Sequence, residues 1–272
     1  MSETNLPLIV EPDHLEGVLG AEDLLVVDVS EKNVHAQHHV PDAVHLAYQA
    51  IVDVKPPAMG LLPDDRQLGK VLSALGMTAD THVVAYDDQG NGKAARLLWT
   101  LDVIGHAGFS LRNGGLHAWI NEGHPTEHGF NQPPDGKYNA TRLPHAIADK
   151  SYILSILDDP DIVILDVRTP AEYSGLDLRA ARGGHIPGAI NMDWTLTMDR
   201  DRNLRLKPED ELREMLLELG ITPDKEVIAH CQTHQRSAHT YIVLKSLGYS
   251  RIRGYDGSWS EWGNDPKVPI DS

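Results

Sequence analysis

Glu226-Val227-Ile228-Ala229-His230-Cys231-Gln232-Thr233-His234-Gln235-Arg236-Ser237, with the residues that follow it to Gly248, contains three pieces of local structure in a fixed order. The apolar run up to His230 has the length and β-branched content of a buried strand. Ala238-His239-Thr240-Tyr241-Ile242-Val243-Leu244-Lys245-Ser246-Leu247-Gly248 reads as a mostly buried helix closed by glycine. Between them lies a polar loop that begins at the chain's single cysteine. A strand feeding a helix through so short a loop belongs to an α/β fold with a largely parallel sheet.

Working outward, the same units occur twice. Leu25-Val26-Val27-Asp28-Val29 reappears as Val163-Ile164-Leu165-Asp166-Val167, and His39-Val40-Pro41-Asp42-Ala43-Val44 as His185-Ile186-Pro187-Gly188-Ala189-Ile190. Leu75-Gly76-Met77-Thr78-Ala79-Asp80 matches Leu219-Gly220-Ile221-Thr222-Pro223-Asp224, then Val83-Val84-Ala85 matches Val227-Ile228-Ala229, and Gly114 and Trp119 match Gly257 and Trp262. A period of about 140 residues is that of a duplicated domain rather than a solenoid. Leu212, Met215, Leu216 and Leu219 repeat at i, i+3, i+4, i+7, with Pro208 before and Gly220 after, and Leu68, Val71, Leu72 and Leu75 repeat the pattern in the first copy. Asn121 to His145 is rich in Pro and Gly and lacks apolar periodicity, so it reads as a linker. The expected domains are 1–124, a linker at 125–145, and 146–272.

The 272 residues carry 24 Lys+Arg against 40 Asp+Glu, a formal net charge of −16. That excess argues against nucleic acid or an anionic membrane as partner. With 41% hydrophobic residues the chain can bury a core, and no apolar run approaches the ~20 residues that span a bilayer. Met1 to Val10 has neither a basic start nor a long apolar stretch, so a cytoplasmic location is expected. A single cysteine excludes an internal disulfide and any cysteine metal cluster. His35, His38 and His39 lack a second ligand pair and are expected to face solvent, so no metal and no cofactor is anticipated.

Chemistry therefore concentrates on Cys231. A loop leading from a parallel strand into a helix turns successive N–H groups inward at the positive end of the helix dipole, which favours an anion. A thiol set there is itself an anion when ionised, so its pKa falls and it becomes a nucleophile near neutral pH. Arg236 adds a fixed cation whose fork suits sulfonate or phosphate oxygens. His230 and His234 flank the thiol, and Trp259 and Trp262 are expected in the core or cleft wall.

Together with Asp166-Val167-Arg168, Gly184-His185-Ile186-Pro187-Gly188-Ala189 and Gly257-Ser258-Trp259-Ser260-Glu261-Trp262, this loop resembles the rhodaneses over nearly the whole chain. The resemblance implies two tandem rhodanese-like domains, the second catalytic and the first an inactive copy with Asp87 where the second has Cys231. It further implies that the sulfane sulfur of thiosulfate passes to Cys231 as a persulfide and on to cyanide or another thiophilic acceptor. On this reading Cys231 is catalytic, and Arg236, Gln232, Thr233, His234, Gln235, Arg168 and Arg182 bind the donor, Arg236 chiefly. Mitochondrial rhodaneses carry basic residues at the first two positions after the cysteine and an arginine at the position of Glu172, whereas this chain has Gln232, Thr233 and Glu172. Three alternatives stay open: a 3-mercaptopyruvate sulfurtransferase, a persulfide carrier serving a protein acceptor, and a cysteine phosphatase. The last is disfavoured because four residues, not five, separate Cys231 from Arg236.

Overall fold

The runs Leu24–Asp28, His82–Tyr86, Ile162–Asp166 and Glu226–His230 form strands that are buried along almost their whole length, as parallel strands covered on both faces must be. The structure, a computed structural model, describes Thr4 and residues 6–272; residues 1–3 and Asn5, at the start of the expected first copy, lie outside the described residues. The first copy runs β1 (Ile9–Val10), α1 (Pro12–Glu16), β2 (Leu24–Asp28), α2 (Lys32–Gln37), β3 (Val44–His45), β4 (Asp53–Lys55), β5 (Ala58–Leu61), α3 (Asp65–Ala74), β6 (His82–Tyr86), α4 (Gly92–Val103), β7 (Phe109–Arg112) and α5 (Gly115–Asn121). The second runs β8 (Ile147–Ala148), α6 (Lys150–Ser155), β9 (Ile162–Asp166), α7 (Pro170–Tyr173), β10 (Ile190–Asn191), β11 (Met198–Asp199), β12 (Arg205–Leu206), α8 (Glu209–Glu218), β13 (Glu226–His230), α9 (Arg236–Ser246), β14 (Ile252–Tyr255) and α10 (Ser258–Trp262).

Each copy builds a five-stranded sheet, ordered β1-β7-β6-β2-β3 and β8-β14-β13-β9-β10, the same order strand for strand and parallel throughout. Even the register recurs, with Asp28 opposite Tyr86 and Asp166 opposite His230 at the carboxyl ends of the central strands. Apolar side chains from strands and helices close one core around Val26, Val84, Tyr86 and Trp119 and another around Ile164, Ile228, Tyr255, Trp259 and Trp262. Both C-terminal tryptophans are therefore core residues. Among the described residues no helix is long and apolar enough to cross a membrane.

The compact units are not contiguous in sequence and differ from the expected spans by exchanged segments. One unit comprises the described residues up to Ile51 together with Pro63–Leu143 and Met198–Leu206; the other comprises Val52–Leu62, Pro144–Thr197 and Lys207–Ser272. Each copy has thus given a hairpin to the other: β4 and β5 pair antiparallel within the second unit, and β11 and β12 within the first. The two hairpins are tied down alike. Leu62 N–H donates to Asp256 Oδ2 at 3.0 Å, and Leu206 N–H to Asn113 Oδ1 at 2.8 Å, each acceptor standing just beyond a central-sheet strand. Arg205 also pairs with Glu11 and Glu122 in the first unit.

Residues 125–143, expected as a linker, are packed onto the first unit. Asn131 Nδ2 donates to the Ala43 carbonyl, Tyr138 N–H to Ser73 Oγ, and Arg142 Nε to Asp65 Oδ1 at 2.8 Å. Proline and glycine prevented regular structure there without preventing side-chain anchoring. The histidines also differ from expectation. His35 and His39 are buried with rings stacked 4.1 Å apart, and His35 Nδ1 sits 2.8 Å from Asp28 Oδ2, while His38 is exposed.

Candidate active site

β13 is buried at every position and lies between β9 and β14, so the sheet delivers Cys231 to its carboxyl edge, where open α/β sheets bind ligands. The chain then turns through residues 232–235, with His234 at φ +57°, and enters α9 at Arg236. Gln235, at the N-cap of α9, makes no side-chain cap bond to the first turn. Cys231 is only 1% exposed.

Burial by itself pushes the Cys231 thiol up. The Arg236 guanidinium, the Ser237 hydroxyl and N–H, and the Thr233 N–H together outweigh it and hold the thiol below its ordinary value. His230, directly before the cysteine, is fully buried; burial lowers its pKa, so it stays neutral beside Asp166, 3.7 Å away. Nothing in the site requires it as a base, because the loop already favours the thiolate.

Arg236 is itself engaged. Its two terminal nitrogens donate to the Glu172 carboxylate at 2.7 and 2.8 Å, a bidentate pair. Glu172 closes a capping box on Thr169 at the start of α7, accepting from Thr169 N–H and Oγ1. Partial burial opposes ionisation, but Arg236 and Thr169 dominate and depress the Glu172 pKa to about 2. The strongest cation of the loop thus faces both a thiol and a carboxylate. The carboxylate offsets part of the guanidinium charge, so Arg236 favours an anion here together with Ser237 and the loop N–H groups.

The first copy contains the same construction with its anion built in. Asp87 stands where Cys231 stands, and its carboxylate accepts N–H groups from Gln89 at 2.7 Å, Asn91 at 2.8 Å, Lys93 at 2.7 Å and Ala94 at 3.0 Å. Burial still pushes this carboxyl up in pKa. A loop of this form can therefore gather four donors on one side chain. Asp87→Ala should destabilise the protein by about 3 kcal/mol, because buried donors lose their acceptor, and Asp87→Asn should cost less; chemical denaturation of the two variants measures the difference.

Of the residues expected to bind substrate, Gln232, Thr233, Gln235 and Arg236 are partly exposed around the thiol. His234 is not available: it is buried and its Nδ1 meets Ser237 Oγ at 2.7 Å. Arg168 is also fully buried, bonded to Asp166 and the Gly184 carbonyl and lying 4.3 Å over the Trp259 ring. Arg182 donates to the carbonyls of Val268, Trp262 and Asp265. Both arginines hold the fold, since each guanidinium is met by several protein acceptors. Ser237 and Glu172 are the contributors that reading the loop alone misses. The sequence Thr169-Pro170-Ala171-Glu172 does signal a capping box, though not its distant partner Arg236. Among the described residues no group of three or more His, Cys, Asp or Glu could hold a metal ion.

Comparison with known proteins gives the family of both copies. The Rhodanese-like domain family matches residues 11–122 and 149–265. The thiosulfate sulfurtransferase of Pseudomonas aeruginosa is 44% identical over 268 residues, covering 98% of each chain, and that of Azotobacter vinelandii is 42% identical with the same coverage. The sulfur carrier protein TtuD of Thermus thermophilus is 34% identical over 92% of this chain and 88% of its own. Among solved structures, SseA from Escherichia coli, a 3-mercaptopyruvate sulfotransferase, superposes with a TM-score of 0.83 at 26% identity over 93% of this chain and 99% of its own. With both copies matched and the duplicated sheet in place, the chain belongs to the rhodanese family.

Proposed function

We propose that this protein is a thiosulfate sulfurtransferase working through a persulfide on Cys231. The observation that carries the reading is the thiol itself, buried at a strand end yet held toward its ionised form by Arg236, Ser237 and Thr233. The thiolate attacks the outer sulfur of thiosulfate, the S–S bond of the donor breaks, and sulfite leaves with the bonding pair. Cyanide or another thiophile then attacks the terminal sulfur of the persulfide, and Cys231 departs as the thiolate. No external oxidant or reductant is needed. Gln232, Thr233 and Gln235 line the approach, and the loop N–H groups with Arg236 receive the sulfonate. A reduced compartment such as the cytoplasm keeps the single thiol competent.

Full-length similarity to two thiosulfate sulfurtransferases favours thiosulfate as the donor. The similarity to a sulfur carrier protein supports a second reading, in which a protein thiol is the acceptor. Intact mass spectrometry tests the common step. The protein should gain the mass of one sulfur atom on treatment with thiosulfate and lose it on addition of cyanide, and an unchanged mass would overturn the proposal. Loading followed by slow transfer to cyanide and fast transfer to a protein thiol would select the carrier.

A further inference from the structure

The donors around Cys231 are aimed from behind. Trp259 N–H donates to the Cys231 carbonyl at 2.9 Å, and Ser260 N–H to the Gln232 carbonyl at 3.0 Å. Because a trans peptide sets its C=O and the following N–H in opposite directions, these two bonds turn the N–H groups of Gln232 and Thr233 away from α10. The Thr233 N–H is among those that act on the thiol.

α10 is in turn gripped by the hairpin that the first copy gives to this unit. Met59 N–H donates to Ser260 Oγ at 3.1 Å and Leu62 N–H to Asp256 Oδ2 at 3.0 Å, while Ser260 Oγ donates to the Gly257 carbonyl. Gly60 lies between these two anchors, directly against the loop. A Cβ added there would stand 2.2 Å from the Thr233 carbonyl oxygen, 2.7 Å from its carbon and 2.9 Å from the Asp256 carbonyl oxygen. All three are backbone atoms, which cannot step aside as a flexible side chain could. The other hairpin supplies the contrast: counting back from the equivalent bonds of Leu62 and Leu206, the position matching Gly60 is Leu204, in the unit whose loop is filled by Asp87. Glycine thus occupies this position only in the hairpin beside the loop that carries a thiol.

We propose that the β4–β5 hairpin and the first turn of α10 form a clamp that sets the direction of the N–H groups around Cys231, with Gly60 and Ser260 as positioning residues. This rests on the reading of Cys231 as the reacting group. Any side chain at Gly60 displaces the Thr233 peptide and weakens the hold on the thiolate.

The test measures the pH dependence of Cys231 alkylation by iodoacetamide in the full-length protein, alongside kcat and KM for thiosulfate. Gly60→Ala should move the alkylation midpoint upward by about one pH unit. It should also lower kcat/KM at neutral pH by tenfold or more, with cooperative unfolding retained. Ser260→Ala, which deletes the acceptor of Met59 N–H, should shift the midpoint in the same direction by less, and Ser260→Thr should restore it. A folded Gly60→Ala protein with the parental alkylation profile would overturn the clamp. Should Gly60→Ala fail to fold, identical profiles for the Ser260→Ala and Ser260→Thr proteins would overturn it instead. Alkylation involves no thiosulfate, so a parental protein that alkylates at low pH but takes up no sulfur would reject the sulfurtransferase reading and leave the clamp to be judged on the variants.

Discussion

Replacing Cys231 by serine is expected to lower sulfur transfer by roughly 10⁴-fold or more while leaving the fold intact. A hydroxyl is nearly the size of a thiol and can accept the same N–H donors from Thr233 and Ser237 that the cysteine receives. It does not ionise near neutral pH and cannot form a persulfide, so the covalent route has no substitute. Turnover with thiosulfate and cyanide, measured beside the circular dichroism spectrum of the variant, decides the matter. Substantial residual turnover by a folded Cys231→Ser protein would eliminate the double-displacement mechanism.

The second large effect belongs to the pair beneath the loop. Arg236→Ala strands the Glu172 carboxylate, whose side chain is 4% exposed, and should cost about 3 kcal/mol of stability besides weakening thiosulfate use. Glu172→Gln in the Arg236→Ala background should recover much of that stability but none of the activity, since the cation beside the thiol is still missing. The pH dependence has a definite sign. Glu172 is depressed from 4.5 to about 2, so its stabilisation is fully present above about pH 4.5 and is lost as the pH falls toward 2. The double variant should therefore lose less stability than the parent between those limits. Denaturation midpoints at pH 6 and pH 3 for the four proteins of this cycle supply the measurement, and additive effects would show the two residues to be energetically independent.

Sequence periodicity and local chemistry carry much of this structure because most of it is locally encoded. The strand Glu226–His230 is observed where the apolar run predicts it, and Ile162–Asp166 likewise. The helix after the loop, expected from Ala238, begins two residues earlier at Arg236, because a polar first turn has no apolar period to announce it. Asp87 could be recognised as the counterpart of Cys231 from alignment of the copies, but its four N–H donors could not, since they arise from loop geometry. Arg168 and Arg182 read as candidates because they lie near the Asp166 strand end and in the loop before His185; their acceptors include groups as distant in sequence as Val268. The partnership of Arg236 with Glu172 spans 64 residues and likewise exists only in three dimensions. The exchanged hairpins were illegible for a further reason: strands of two to four residues have too few positions to establish a period.

That exchange has a consequence for the order in which the protein can be made. The first unit includes Met198–Leu206, so a nascent chain that has just completed the first repeat still lacks the Leu206 and Arg205 contacts with Asn113, Glu11 and Glu122. The ribosome must travel well into the second repeat before the first is whole. The Val52–Leu62 hairpin, in contrast, is synthesised early and waits for nearly the entire remaining chain before Asp256 and Ser260 exist to receive it. The first unit therefore has all its residues only once Leu206 has emerged, and the second only when its C-terminal segment Lys207–Ser272 has been made.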